Sequence, residues 1–173
     1  GLGWSTGAEG SLLTMTGGSL QVNAWNNHGS TMNVGGNALF KTNSGITMDR
    51  SASYMTLSDD AVISVAGTTN IGNSSDYPAN FTQTGGYFFA NGANYFSYHA
   101  DANINISGGK YISNSAQLYV TDQSNRTANI TMSGDGYLQA KDLRLSQHGT
   151  TNLTMSGASA IRTNIFSAAF NYS

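Results

Sequence analysis

The side chains with which this chain could move protons or hold metals are few and scattered. The acids are Glu9, Asp49, Asp59, Asp60, Asp76, Asp101, Asp122, Asp135 and Asp142. Polysaccharide cleavage would require carboxylates gathered around a calcium ion beside an Arg or Lys base. Only Asp59 and Asp60 are adjacent, and neighbours on a strand point to opposite faces, so the pair reads as a solvated turn. His28, His99 and His148 each lie in a polar turn and read as loop surface rather than metal ligands. GDGY, residues 134 to 137, lacks the acidic spacing of a calcium loop and reads as a corner. With zero cysteines there is no thiol nucleophile, disulfide or Cys-ligated zinc. No phosphate-cradling loop ending in Lys-Ser or Lys-Thr exists. Neither enzymatic activity nor a cofactor or metal is expected.

The elements that position these residues follow from a repeat. TNLTMSG, residues 151 to 157, has a near twin in ANITMSG, 128 to 134, and a blurred copy in ANINISG, 102 to 108. Anchoring on the apolar residue before the Thr gives Leu13, Met32, Met55, Phe81, Ile104, Ile130 and Leu153, at intervals of 19, 23, 26, 23, 26 and 23 residues. Thr or Asn follows every anchor, and an apolar residue follows that in every case but Gln83. This alternation marks a strand with one buried face. A small-residue corner comes next, as at Gly35-Gly36, Gly85-Gly86 and Gly108-Gly109, where glycine permits positive φ. Asp60 and Asp135 share a position in this corner, three coils apart. Second and third apolar clusters complete each repeat, for example Phe88-Phe89 and Tyr95 to Tyr98.

Three short strands per repeat predict an all-β chain: a single β-solenoid, or parallel β-helix, of about seven three-strand coils of 19 to 26 residues. Its 21 glycines and abundant Ser, Thr and Asn disfavour helices. The predicted division is an N-terminal cap or coupling segment over 1–11, coils over 12–164 and a C-terminal coupling strand over 165–173.

LTMTGGSLQV (13 to 22, from Leu13), FTQTGGYFF (81 to 89), INISGGKYI (104 to 112) and NLTMSGAS (152 to 159) resemble the repeats of bacterial exported β-helix proteins. The style is similar to autotransporter-type passenger repeats and to the TMSGG repeats of large exported proteins in planctomycete-like and verrucomicrobia-like bacteria. The resemblance implies export and a β-helix; such families are mostly adhesins, surface layers and exported structural proteins. The chain is accordingly expected to be extracellular or on the cell surface, with a signal peptide already removed.

Alternation sends three ladders outward. One comprises Thr14, Asn33, Thr56, Thr82, Asn105, Thr131 and Thr154, a second Thr16, Ser58, Thr84, Ser107, Ser133 and Ser156, and a third Asn80, Asn103, Asn129 and Asn152. Small hydroxyls and amides keep an exposed strand soluble and bond their neighbours. A regular Thr-x-Thr array also resembles the surface of β-solenoid ice-binding proteins. Sequons occur at Asn73, Asn80, Asn105, Asn125, Asn129, Asn152 and Asn171, each a possible glycosylation site, and many of them arise because an Asn ladder lies two residues from a Thr ladder.

Charged residues make up 9% of the chain, with seven Lys or Arg and a net charge of -2. A polyanion-tracking stripe is therefore missing, and no nucleic-acid partner is expected. No apolar run approaches the ~20 residues of a membrane helix, and no membrane insertion is expected. Tyr87, Phe88, Phe89, Tyr95, Phe96 and Tyr98 crowd one region, and those left outside by alternation are candidates for an interface. At the ends, Leu2 and Trp4, and Ile165, Phe166, Phe170 and Tyr172, are strand-like and apolar. They form the expected assembly interface of a self-assembling filament or surface-layer subunit, whose partner is another copy of itself. The alternative is a monomeric adhesion or binding module for carbohydrate or ice.

Overall fold

A computed structural model describes residues 10–49, 52–73, 77–114 and 117–168. All regular structure in it is β, arranged as a parallel β-solenoid. The first rung is β1 (Leu12–Met15), β2 (Ser19–Val22) and β3 (Trp25–His28). The second is β4 (Thr31–Val34), β5 (Leu39–Thr42) and β6 (Ile46–Asp49); the third is β7 (Ser53–Leu57), β8 (Val62–Val65) and β9 (Thr69–Asn70). In the fourth and fifth, β10 (Ala79–Ala90) and β12 (Ala102–Ser113) run through the first corner, followed by β11 (Asn94–Ser97) and β13 (Leu118–Thr121). In the last two, β14 (Thr127–Met132) and β16 (Thr150–Met155) precede β15 (Tyr137–Ser146) and β17 (Ala160–Ser167), which run through the second corner. The seven predicted anchors are seven rungs, but seven passes enclose about six turns, slightly fewer than expected.

Every pairing between rungs is parallel, and the register on the first face is the predicted one. Leu13 pairs with Met32, Met32 with Met55, Met55 with Phe81, Phe81 with Ile104, Ile104 with Ile130 and Ile130 with Leu153. The second face stacks Leu20, Phe40, Ile63, Phe88, Tyr111, Leu138 and Ile161 in one inward column. Because like sits over like, the core is one continuous cluster running along the axis.

Rung four fills its interior with one phenylalanine from each face, Phe81, Phe88 and Phe96, all fully buried. Tyr111 lies beside them in rung five, stacked on Phe88 at 4.7 Å and edge-on to Phe81 and Phe96. Four large rings fit because Ala79, Ala90, Ala102 and Ser97 occupy neighbouring inward positions. Gln83, the one polar interruption of the first-face pattern, is also fully buried. Its amide donates to the carbonyls of Gly85 and Gly86, both at 3.2 Å, and so ties the strand to its own corner.

The first corner comes in two lengths. Three residues separate the faces in rungs one, four and five, and four residues do so in rungs two, three, six and seven. Positive φ is required in every case and is supplied by Gly18, Gly36, Gly86, Gly109, Gly134 and Gly157, with Asp59 standing alone as a non-glycine at φ 55. The Asp59 carboxylate accepts hydrogen bonds from the Gly36 backbone at 2.8 Å and the Ser58 hydroxyl at 2.9 Å, which offsets that strain.

These bonds, the Gly36 amide first and Ser58 second, hold the Asp59 carboxyl below its ordinary range. A folded-state pKa below the unfolded one of about 4 means stability that is present above that value and lost as pH falls through the folded one. Asp59→Gly keeps the turn and removes the carboxylate. Thermal melts between neutral pH and about pH 2 should therefore show wild type losing stability relative to the variant as acid is added. Parallel decline of the two would count against the assignment.

Candidate functional site

The outward side of the first face carries the polar columns. Thr14, Asn33, Thr56, Thr82, Asn105, Thr131 and Thr154 stand in one unbroken register. Beside them Asn103 donates to Asn80 at 3.0 Å, Asn129 to Asn103 at 3.1 Å and Asn152 to Asn129 at 2.9 Å. This amide column continues across four rungs, and each step exchanges a water contact for a protein one. Thr16 and Thr84 do not extend the threonine array. Thr16 lies in the corner beyond β1, and Thr84 is opposite Gly108 rather than Ser107 because the register shifts at that point. These columns are uncharged, and the amide column is bonded to itself.

The same geometry sorts the sequons. Asn80, Asn129 and Asn152 have side chains engaged in the amide column, and Asn105 is exposed in mid-strand on β12. The Asn73 amide donates to Asp49 at 3.4 Å. Asn125 alone combines exposure with a turn conformation, at φ 62. Asn171 lies outside the described residues.

Acids and histidines serve the corners. His28 is paired with Asp49 one rung on, His99 packs against the Tyr98 ring at 3.9 Å between centroids, and His148 is exposed. His28 ends strand β3 rather than lying in a turn, whereas His99 and His148 lie in the third corner. The three stand on rungs one, four and six, and among the described residues no three potential metal ligands converge. Asp101 accepts from the Thr127 backbone at 2.8 Å. Asp142 is buried and paired with Arg144 at 3.0 Å. Asp60 and Asp135 do occupy equivalent corner positions, on rungs three and six, but Asp59 is the acid that bonds the neighbouring rung.

Aromatic side chains outside the core stack along the axis. Tyr95 and Tyr119, register partners on rungs four and five, lie 5.3 Å apart and nearly parallel at 11°; Tyr98 approaches Tyr95 at 4.7 Å, and the Arg144 guanidinium covers the far side of Tyr119 at 5.5 Å. Burial, then Asp122, Tyr119 and Tyr98, pushes the Tyr95 phenol up. On the second face Lys110 sits between Tyr87 and Tyr137, 5.8 and 6.0 Å from their centroids. The Tyr95 and Tyr119 ring faces are thus turned toward neighbouring rungs, and Tyr87 stacks on Phe89 of its own strand at 6.0 Å. The half-buried Tyr95 and Tyr119 act as an inter-rung strut, a use that alternation alone does not reveal, whereas Tyr54 and Tyr77 are exposed.

At the last rung, Ile165 pairs with Asp142 and Phe166 with Leu143, so both belong to the third face of β17. They are 56% and 52% exposed, and Met155 is 43% exposed, because among the described residues no strand covers their outer side. Leu13, Met15, Leu20, Val22 and Trp25 of the first rung are likewise only partly buried. Leu2, Trp4, Phe170 and Tyr172 lie outside the described residues. No protein family, curated protein or solved structure matches the chain.

Proposed function

We propose that this chain is an extracellular structural protein that stacks end to end on further copies of itself, building a filament or surface layer. The observation carrying this reading is that the first and last rungs are interchangeable. Leu13-Thr14-Met15 and Leu153-Thr154-Met155 occupy the same positions, Ile161 corresponds to Leu20, and Phe166 corresponds to Trp25. A copy placed with its first rung on this last rung continues the inward columns of all three faces, with the same one-residue step in the first corner that rungs one and two accommodate. That contact is heterologous and does not close on itself. The scarcity of charge favours it, since little like-charge repulsion opposes the seam. The resemblance of the repeats to exported β-helix proteins supports the extracellular setting.

The test uses two blocked variants. Phe166→Lys places a charge on the last rung and Leu13→Lys places one on the first, both at partly exposed sites. Purified wild type should lengthen with concentration in sedimentation and electron microscopy, each variant alone should stop at short species, and mixing the two should give discrete heterodimers. Monodisperse wild-type monomers at high concentration would sink the proposal. Ice-recrystallisation inhibition or glycan-array binding by those monomers would instead favour an adhesion or binding module.

A further inference from the structure

The second corner of the last three rungs forms an open cleft of about 260 Å³, lined by Asn114 of rung five, Gln139 and Lys141 of rung six, and Arg162 and Asn164 of rung seven. Two of the chain's seven Lys or Arg residues meet here. Neither the Lys141 nor the Arg162 side chain has an ion pair or hydrogen bond among the described residues. The nearest acid in sequence, Asp142, is buried and committed to Arg144. No carboxylate lines the cleft.

The Gln139 amide is set to donate. The Tyr137 hydroxyl donates to Oε1 of Gln139 at 3.3 Å, which leaves the Gln139 Nε2 hydrogens for a ligand. Asn114 donates through Nδ2 to Oδ1 of Asn91 at 2.8 Å and is anchored by that bond. Arg162 shares the outward column of Gln139, and Asn164 occupies the corner position of Lys141 one rung on, so cations and amides alternate around the opening. An ammonium and a guanidinium flanked by neutral donors suit an oxyanion, and amides around them suit ring hydroxyls. The cleft is larger than a single inorganic anion needs.

We propose that this cleft binds an anionic saccharide, with Lys141 and Arg162 on its acid group and Gln139 and Asn164 on its hydroxyls. The site lies on the outward side of the coil and does not rest on end-to-end assembly, although Arg162 and Asn164 belong to the rung that would meet the next copy.

Calorimetric titration at low salt with trigalacturonate, maltotriose and sodium sulfate separates the possibilities. Trigalacturonate should bind, and raising the salt to about half-molar should weaken it severalfold. Lys141→Gln and Arg162→Gln should each weaken binding by about tenfold, and the double variant should abolish it. Lys41→Gln, an exposed cation on rung two, should leave it unchanged. Both cleft cations are exposed, and an unchanged circular dichroism spectrum checks that the double variant is folded. Binding of maltotriose or of sulfate as strong as that of trigalacturonate would overturn the assignment, as would a folded double variant that binds like wild type.

Discussion

Gly86→Ala should destabilise the solenoid by about 3 kcal/mol or more, lowering the melting temperature by roughly 10 °C. Gly86 holds φ +66, a conformation that costs an L-residue roughly 1–2 kcal/mol. A Cβ there would stand 2.2 Å from the carbonyl oxygen of Ala61 on the rung below, and backbone cannot swing aside as a side chain can. That carbonyl accepts the Tyr87 amide at 2.9 Å, so opening the gap also strains an inter-rung hydrogen bond. Gly157→Ala provides the comparison. Its φ is +67, but it is exposed and its nearest neighbour would be 3.0 Å away, so it should cost only about 1–2 kcal/mol. Equal midpoints for the two variants in denaturant titrations would show that rung spacing at the corner does not limit stability.

Tyr111→Ala is expected to cost about 3–5 kcal/mol, the range for deleting a large buried ring. The side chain is fully buried, stacked on Phe88 and donating to Oδ1 of Asn94 at 3.0 Å. Tyr111→Phe keeps the ring and removes the bond. Since Nδ2 of Asn94 already lacks a partner, the variant leaves that buried amide wholly unpaired, at about 1–3 kcal/mol. Burial pushes the Tyr111 phenol far up, opposed only in part by Asn94. The unfolded chain then binds fewer protons once pH exceeds about 10, and stability must fall as pH rises through that range. Unfolding measured from pH 8 to about pH 11 should show a steeper loss for wild type than for Tyr111→Phe. The same slope in both would place the alkaline sensitivity elsewhere.

The register was legible because it rests on the simplest signal available, an apolar residue two positions from another and followed by glycine. Met32, Ile104 and Ile130 announce their stacking through spacing alone. The third face was less readable because its inward column changes character. Trp25, Ile46, Leu118 and Leu143 are apolar, but Thr69 and Asn94 stand in the same column and are buried with them. Alternation also gives a side and not a direction along the axis. It could place Tyr95 and Tyr119 outside, but the ring normals that occupy both faces of the stack depend on side-chain torsions. The cleft at Lys141 and Arg162 was hidden for another reason: its members are separated by whole repeats in some cases and come together only through the second corner.

The amide column from Asn80 to Asn152 runs along the axis, as do the strand pairings beside it. A pull on the two ends therefore loads successive rungs in series, each joined only to its neighbours. Failure would begin at the weakest junction and stop there, releasing one loop at a time. The register advances by 23 or 26 residues per rung in this region, so each event frees roughly 75–95 Å of extended chain while the remaining rungs stay wound. A column of such coils is a tether that lengthens stepwise before it breaks.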